Sequence, residues 1–216
     1  TVKCNFDRGR RFDVDVMDDL ETAGLAFGRL SAQFIRDKVV PELDAFRFAS
    51  YCGISGVTKK EETLADGAAT VAALSAAVTA MDDEEVTATG CYLFITPTLL
   101  QGINDMDTTK SKKVLEGFEQ VIKVPQRRFY TAIKQLSGKT GEEAGGYTKA
   151  AGAANINFAI VQKDALIQYT KHAAPKIIAP ENNPDADAYV FGYRMVGIAK
   201  AYKNMLSGMY FSHDKA

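Results

Sequence analysis

A chain of 216 residues is long enough to form one large domain, or two small ones that share a core. Apolar residues make up 46% of it and charged residues 25%, which are ordinary globular values and exclude a disordered or collagen-like chain. A formal net charge of −1 argues against a general nucleic-acid-binding module, because such modules usually carry a clear basic excess.

Membrane and disulfide classes are not indicated. No run approaches the roughly 18 apolar residues of a spanning helix, and no signal peptide is visible. The three cysteines, Cys4, Cys52 and Cys91, are odd in number and far apart, so buried or incidental thiols are expected rather than disulfides or a CxxC metal site. Because the chain starts at Thr1 without a methionine, we expect a processed or truncated product.

The first predicted elements are a short alternating strand and one long amphipathic helix over residues 15–50. Acidic side chains at the start of this helix oppose the positive end of its dipole: Asp15, Asp18, Asp19 and Glu21. Apolar residues then recur at steps of three and four: Met17, Leu20, Gly24, Phe27, Leu30, Phe34, Ile35, Val39, Leu43 and Phe46. Pro41 removes a backbone donor inside the helix, so a kink or restart is predicted there.

The middle of the chain predicts alternating helices and strands. Residues 51–62 are interpreted as a connector, 64–81 as an alanine-rich helix, and the acidic run 82–85 as a solvated loop. The apolar run 91–96 predicts a buried strand, and Thr96 with Pro97 predicts the start of a short helix through Ile103. A polar connector and a strand over 121–124 follow.

The last third begins with a glycine-rich segment, 135–154, that we interpret as a mobile loop because it offers almost no large apolar side chains. A buried strand over 157–161, a helix over 165–172 and a proline-asparagine turn come next. Tyr189, Phe191, Tyr193 and Met195 alternate at period two, and Met205, Met209 and Phe211 also share a parity, which predicts antiparallel strands. Helices and strands without a regular βαβ order make the fold class α+β.

Candidate chemistry is sparse. Gly138, Lys139 and Thr140 resemble the end of a phosphate-binding loop, but Ile133 stands where that loop requires glycine, so an ordinary loop is favoured. The carboxylates Glu181, Asp185 and Asp187 are better explained by an Asx/Pro turn than by a cation site. The two histidines, His172 and His213, are 41 residues apart and have no nucleophile motif beside them.

Basic residues form two local clusters that are candidate contacts between subunits or with enclosed nucleic acid. One is Arg8, Arg10 and Arg11, and the other includes Arg127 and Arg128 within a segment, 108–150, that has nine Lys/Arg against four Glu. Because the whole chain is nearly neutral, complementary patches between like subunits are the favoured interpretation.

The stretch DRGRRFDVDVMDDLETAGLAFGRLSAQFIRDKVVPELDAFRFA and the C-terminal half from INFAIVQKDALIQYTKH to KNMLSGMYF resemble major capsid proteins of tailed bacteriophages and prophages with the Hong Kong-97 capsid fold. The resemblance implies a long spine helix, a peripheral (P) domain and an axial (A) domain. It assigns 1–52 to the P domain with the returning strand of an extended hairpin (E-loop), 53–180 mainly to the A domain, and 181–216 to strands that return to the P domain. From the resemblance, we expect the chain to lack the N-terminal arm and most of the E-loop of that family.

The function that the resemblance implies is structural. The chain would be a head subunit of a virion, assembled in the bacterial host cytoplasm into pentamers and hexamers of an icosahedral shell that encloses double-stranded DNA without reading its sequence. Scaffolding and portal proteins are the other expected partners, and no catalytic residue, cofactor, metal or membrane contact is predicted. The alternatives are a small α/β enzyme or ligand-binding protein with a pocket beside the 91–96 and 157–161 strands, and a DNA-binding module with steeply salt-dependent affinity.

Overall fold

The structure, a computed structural model, describes residues 2–17 and 27–215 in full and the backbone of 25 and 26. Asp18, Asp19, Leu20, Glu21 and Gly24, which the sequence places in the first turns of the long helix, lie outside the described residues. The chain divides into two compact units, Thr1–Pro41 with Gln168–Ala199, and Glu42–Ile167 with Lys200–Ala216. The assignment of residues to P and A domains stays a prediction.

Five α-helices and ten strands are described. The helices are α1 (Leu25–Phe34), α2 (Val40–Cys52), α3 (Gly67–Asp82), α4 (Pro97–Asp105) and α5 (Thr109–Glu116). The strands are β1 (Phe6–Asp15), β2 (Thr58–Glu61), β3 (Cys91–Ile95), β4 (Gln120–Lys123), β5 (Ile133–Gln135), β6 (Tyr147–Lys149), β7 (Ile156–Gln162), β8 (Leu166–Ile178), β9 (Ala188–Ala201) and β10 (Met209–His213).

The first unit places helix α1 against a three-stranded sheet of order β1-β9-β8. Strand β1 is antiparallel to β9, and Phe12 lies opposite Phe191 with ring centroids 4.9 Å apart. From α1, Phe27 contacts Tyr189 at 5.5 Å and Phe34 contacts Phe12 at 5.5 Å. The predicted alternation of β9 is confirmed by its strand conformation, and Tyr189 and Phe191 of the predicted face contact rings of α1.

The long helix changes its hydrogen-bond pattern just before Pro41. A π-helical turn, Ile35–Val39, joins α1 to α2, and the N–H of Val40 donates to the carbonyl of Ile35. Proline has no N–H for the α-helical bond to Asp37, and its ring clashes with that carbonyl, so a wider turn relieves the conflict. The predicted irregularity is confirmed, although the helical backbone continues through it.

The second unit is built on a five-stranded sheet of order β2-β10-β7-β3-β4. Strands β2 and β4 are each parallel to their neighbour, whereas β7 is antiparallel to both β10 and β3. Helices α3 and α4 cover one face of the sheet, where Leu74, Leu93, Ile103, Phe158 and Ile160 are fully buried. This face is the main hydrophobic core of the unit.

The other face of this sheet is also covered. Phe48 of α2 lies edge-on to Phe94 of β3 and to Phe129, with ring centroids 5.2 Å and 4.7 Å apart. Strand β7 is therefore buried on both sides over residues 156–161, which accounts for the apolar run over residues 158–161.

Helices α3 and α4 approach each other at two glycines. A Cβ added at Gly67 would lie 2.1 Å from the carbonyl oxygen of Gly102, so no larger residue fits without backbone movement. Asp66 caps α3 by accepting from the N–H of Ala69 at 2.8 Å, and Pro97 opens α4 at its first turn, as predicted.

Four segments differ from their predictions. The predicted helix over 165–172 is wrong, because these residues enter the long edge strand β8. The connector over 51–62 contains edge strand β2, and the polar segment before 121 contains helix α5. The glycine-rich segment contains the β5–β6 hairpin.

Candidate functional site

The arginines of β1 do not form one surface patch. Alternation along the strand places Arg8 and Arg10 on the side that carries the buried Phe6, and Arg11 on the opposite side. Arg8 is half-buried and Arg10 exposed, and neither side chain is without a partner. A cluster that is continuous in sequence is thus divided between two faces of the sheet.

Arg11 is paired within its own chain. Its Nε lies 3.3 Å from Oδ1 of Asp13, and its Nη2 lies 3.8 Å from Oδ2 of Asp185. Beside it, Arg194 donates two hydrogen bonds to Asp7, at 2.9 and 2.6 Å, and these bonds hold the pKa of the Asp7 carboxyl below its usual value. The exposed side of β1 therefore carries paired charges of both signs.

Arg127 and Arg128 have different surroundings. Nη1 of Arg128 lies 3.0 Å from Oδ2 of Asp44 on α2, and the two side chains are only 21% and 34% exposed. The Nε of Arg128 is buried without a hydrogen-bond partner among the described residues. Arg127 is exposed, and its backbone carbonyl accepts from the hydroxyl of Tyr147 at 2.8 Å. Arg127 thus presents an exposed charge for which the described residues supply no ion pair.

The loop between β5 and β6, within the glycine-rich segment, is held by hydrogen bonds among nearby residues. Glu142 accepts from the N–H of Ser137 at 2.7 Å and from Nζ of Lys134 at 2.6 Å, and these donors lower the pKa of Glu142 to about 2. Gly138 and Gly141 have φ of 72° and 85°, left-handed conformations that suit glycine. The N–H groups of Ser137 and Gly141, on either side of Gly138, donate to the carboxylates of Glu142 and Glu143, which favours the predicted ordinary loop.

The other candidate ligands are not assembled into a site. The side chain of Asn183 accepts from the N–H of Asp185 at 3.3 Å, which confirms the predicted Asx turn. Within residues 2–17 and 27–215, no group of three His, Cys, Asp or Glu side chains is arranged to hold a metal ion. His172 is exposed, and Nδ1 of His213 lies 2.8 Å from the carbonyl of Asp214.

The cysteines are free thiols, as predicted. Cys4 is exposed, whereas Cys52 and Cys91 are buried, and burial raises the pKa of the Cys91 thiol to about 11.

Among the helices that the structure describes, none is both long and apolar enough to cross a membrane.

A groove of about 550 Å³ lies between α3 and α5, and sequence reasoning missed it. Val78, Ala88 and Val114 supply apolar lining, and Lys110 and Lys113 line it from α5. The available signal was the helix start at Thr108, whose side chain accepts from the N–H of Ser111 in a capping box. The lysine-rich composition of α5 concealed that start.

The strands that the alternative ligand-binding hypothesis used are neighbours, but their faces are filled. Leu93 and Ile160 are paired across β3 and β7 and belong to the core beneath α3, while Phe94 packs against Phe48 on the other side. These residues therefore contribute to packing rather than to a pocket between the strands.

Neither a protein-family model nor any curated protein sequence matches this chain. Solved structures do match over nearly its whole length. The capsid of the cyanophage P-SCSP1u has a TM-score of 0.58 at 13% identity, with 99% of this chain and 73% of that chain covered. The acid-stable capsid of Helicobacter pylori bacteriophage KHP30 has a TM-score of 0.57 at 12% identity, with 98% and 74% covered.

A virus-like particle from Pyrococcus furiosus also matches, with a TM-score of 0.64 at 9% identity and coverage of 95% and 75%. The chain therefore has the α+β fold of phage capsid subunits, and the predicted fold class is confirmed.

Proposed function

We propose that the chain is a structural capsid subunit that assembles with itself into pentamers and hexamers of an icosahedral shell enclosing double-stranded DNA. The observation that carries the proposal is the match to capsid structures over 97–99% of the chain, which leaves almost no part of it for a different architecture. Assembly through broad apolar and polar interfaces, repeated around closed rings, is the mechanism.

Exposed strand edges support a role in assembly. In the described part of the chain, β8 forms the outer strand of its sheet, and its 13 residues are mostly exposed. Tyr169 and Ile177 on β8 are 62% and 60% exposed, so this edge strand presents apolar surface to solvent. A neighbouring subunit that covers this edge would bury both side chains and add a strand beside β8.

The arginine clusters have distinct roles in this proposal. Arg127 is the best candidate for a contact with a neighbouring subunit or with DNA, because its guanidinium is exposed. Arg128 holds its own segment against α2 through Asp44. Arg8, Arg10 and Arg11 lie along β1, an edge strand, and Arg11 is on the side that faces away from α1.

Electron microscopy and light scattering on the full-length product of the gene, expressed in bacteria, test the proposal. Shells or ring-shaped capsomers are expected. Protein that stays monomeric across protein concentration, salt and crowding conditions would overturn it.

The enclosed DNA needs a separate test. Shells isolated from infected or induced cells should hold nuclease-resistant duplex DNA, together with a portal, and immature shells should hold a scaffolding protein. Mature shells that contain no DNA would contradict the DNA-enclosing role and leave only the proposal of a self-assembling shell. Immunogold labelling would place precursor shells in the host cytoplasm and finished ones in virions.

A further inference from the structure

We propose that the groove between α3 and α5 binds the acidic turn, residues 82–85, of a neighbouring copy of the same chain. This inference rests on the proposed capsid function and names one contact through which copies would recognise each other.

The basic side of the contact consists of Lys110 and Lys113. They are three residues apart on α5, so they project from one face of the helix, and both are exposed and line the groove. Neither forms an ion pair with any residue that the structure describes. Lys112, between them, points elsewhere and lies 2.6 Å from Oδ1 of Asp107. The groove therefore carries two uncompensated positive charges above an apolar lining.

The acidic side is the turn that follows α3. Asp82, Asp83, Glu84 and Glu85 are consecutive and all exposed, and no ion pair to them is found in the described ranges. The N–H of Val86 donates to the carbonyl of Met81 at 2.9 Å, and Glu85 has φ of 61°, so the backbone holds the carboxylates in a defined turn.

The position of the acidic turn is unfavourable in an isolated subunit. Four negative charges gather at the C-terminal end of α3, where the helix dipole is already negative. A cationic partner would relieve this repulsion. Lys110 and Lys113 have the right charge, but within one chain they do not reach the turn closely enough to pair with it.

A second copy satisfies both sides at once. Every copy offers one groove and one acidic turn, so the contact can repeat between neighbours in a closed assembly without any other protein. The apolar lining formed by Val78, Ala88 and Val114 would exclude water beneath the paired charges and strengthen them.

A charge exchange tests the contact in the full-length protein. The groove variant, Lys110→Glu with Lys113→Glu, is expected to lower the assembled fraction by at least about tenfold at physiological salt. The matched control, Lys123→Glu with Lys203→Glu, makes the same change in net charge on exposed lysines that lie outside the groove and have no ion pair among the described residues, so it should assemble like the wild type. Adding Asp83→Lys and Glu84→Lys to the groove variant restores opposite charges and should restore assembly.

Carbodiimide crosslinking of the wild type gives an independent measurement. Light and ¹⁵N-labelled subunits are mixed before assembly, and the expected product is an amide between Lys110 or Lys113 of one isotope and a carboxylate of residues 82–85 of the other. Mixed-isotope crosslinks together with rescue by the exchanged charges would support the contact.

The remaining outcomes separate the two proposals. If the wild type assembles, but the groove variant assembles equally well and no mixed-isotope crosslink forms, the contact is overturned while the capsid function stands. A wild type that never assembles overturns the capsid function and the contact with it.

Discussion

The ion pair between Asp44 and Arg128 predicts that Arg128 stabilises the subunit itself. Its effect can be isolated by a double-mutant cycle of Asp44→Asn, Arg128→Gln and the double variant, in which the coupling free energy measures the pair directly. Exposed pairs contribute about 0.2–1 kcal/mol, whereas breaking a fully buried pair costs about 3–5 kcal/mol. With the side chains 34% and 21% exposed, we expect a coupling of about 1–2 kcal/mol.

The assay is urea unfolding, followed by circular dichroism, at a protein concentration where the wild type is monomeric. A loss of about 1–2 kcal/mol corresponds to a fall of roughly 0.5–1 M in the urea midpoint, for a slope of about 2 kcal/mol per M. Arg127→Gln is the matched control, because its side chain is exposed and should leave the midpoint unchanged. A coupling below about 0.3 kcal/mol would mean that Arg128 does not act through Asp44.

Two further predictions concern glycine packing and the hairpin loop. Gly67→Ala places a Cβ 2.1 Å from the carbonyl oxygen of Gly102, so we expect the free energy of unfolding in urea to fall by about 1–3 kcal/mol. The control is Gly90→Ala, which should cost far less because no neighbouring atom lies within 4 Å of the added Cβ. The pKa of Glu142 is lowered to about 2, so its bonds to Lys134 and to the Ser137 N–H should be fully present above about pH 4.5 and lost as the pH falls through about 2. Amide resonances of the loop followed by NMR should show this transition, and an unchanged loop in Glu142→Gln would contradict the assignment.

The elements that sequence reasoning predicted correctly are those whose burial leaves a pattern in the side chains. Strand β7 is covered on both faces, and residues 158–161 therefore form an apolar run. Helix α3 and strand β9 each bury one face, so apolar residues recur along them at the helical and the strand period, respectively. In each case the core selects the residue types directly.

The missed elements are held by backbone or polar contacts that leave little apolar pattern. Strand β8 is an edge strand with mostly exposed side chains, so its sequence does not alternate, and a helix was predicted instead. Edge strand β2 is exposed at all four positions, and the residue that follows it, Glu62, forms two hydrogen bonds to other strands. The Glu62 carboxylate accepts from Oγ of Ser212 at 2.7 Å, and its backbone carbonyl accepts from the side-chain amide of Asn157 at 2.9 Å. These bonds join residues 95 and 150 positions apart, which a local sequence pattern cannot indicate.

The candidate site was predicted only as clusters of charge along the sequence. The structure divides both clusters: strand alternation separates Arg11 from Arg8 and Arg10, and Asp44 pairs with Arg128 but not with Arg127. That Lys110 and Lys113 share one face follows only from the helical structure of α5, which the sequence pattern did not indicate. Charge proximity in sequence becomes proximity in space only after the secondary structure is fixed.

The acidic turn at the end of α3 leads to a last prediction, in which stability and assembly change in opposite directions. The variant Asp83→Asn with Glu84→Gln removes two negative charges that are repelled by the negative C-terminal end of the α3 dipole. The monomer should therefore become more stable by about 0.3–1 kcal/mol per charge at low ionic strength. The gain should shrink in 1 M salt, where the screening length is about 3 Å. The same variant should assemble less well, because the turn loses half of its charge. Urea unfolding at both salt concentrations and light scattering of assembly measure the two effects. A variant that is less stable than the wild type at low salt would show that these carboxylates stabilise the subunit locally, and the argument from the dipole would then be wrong.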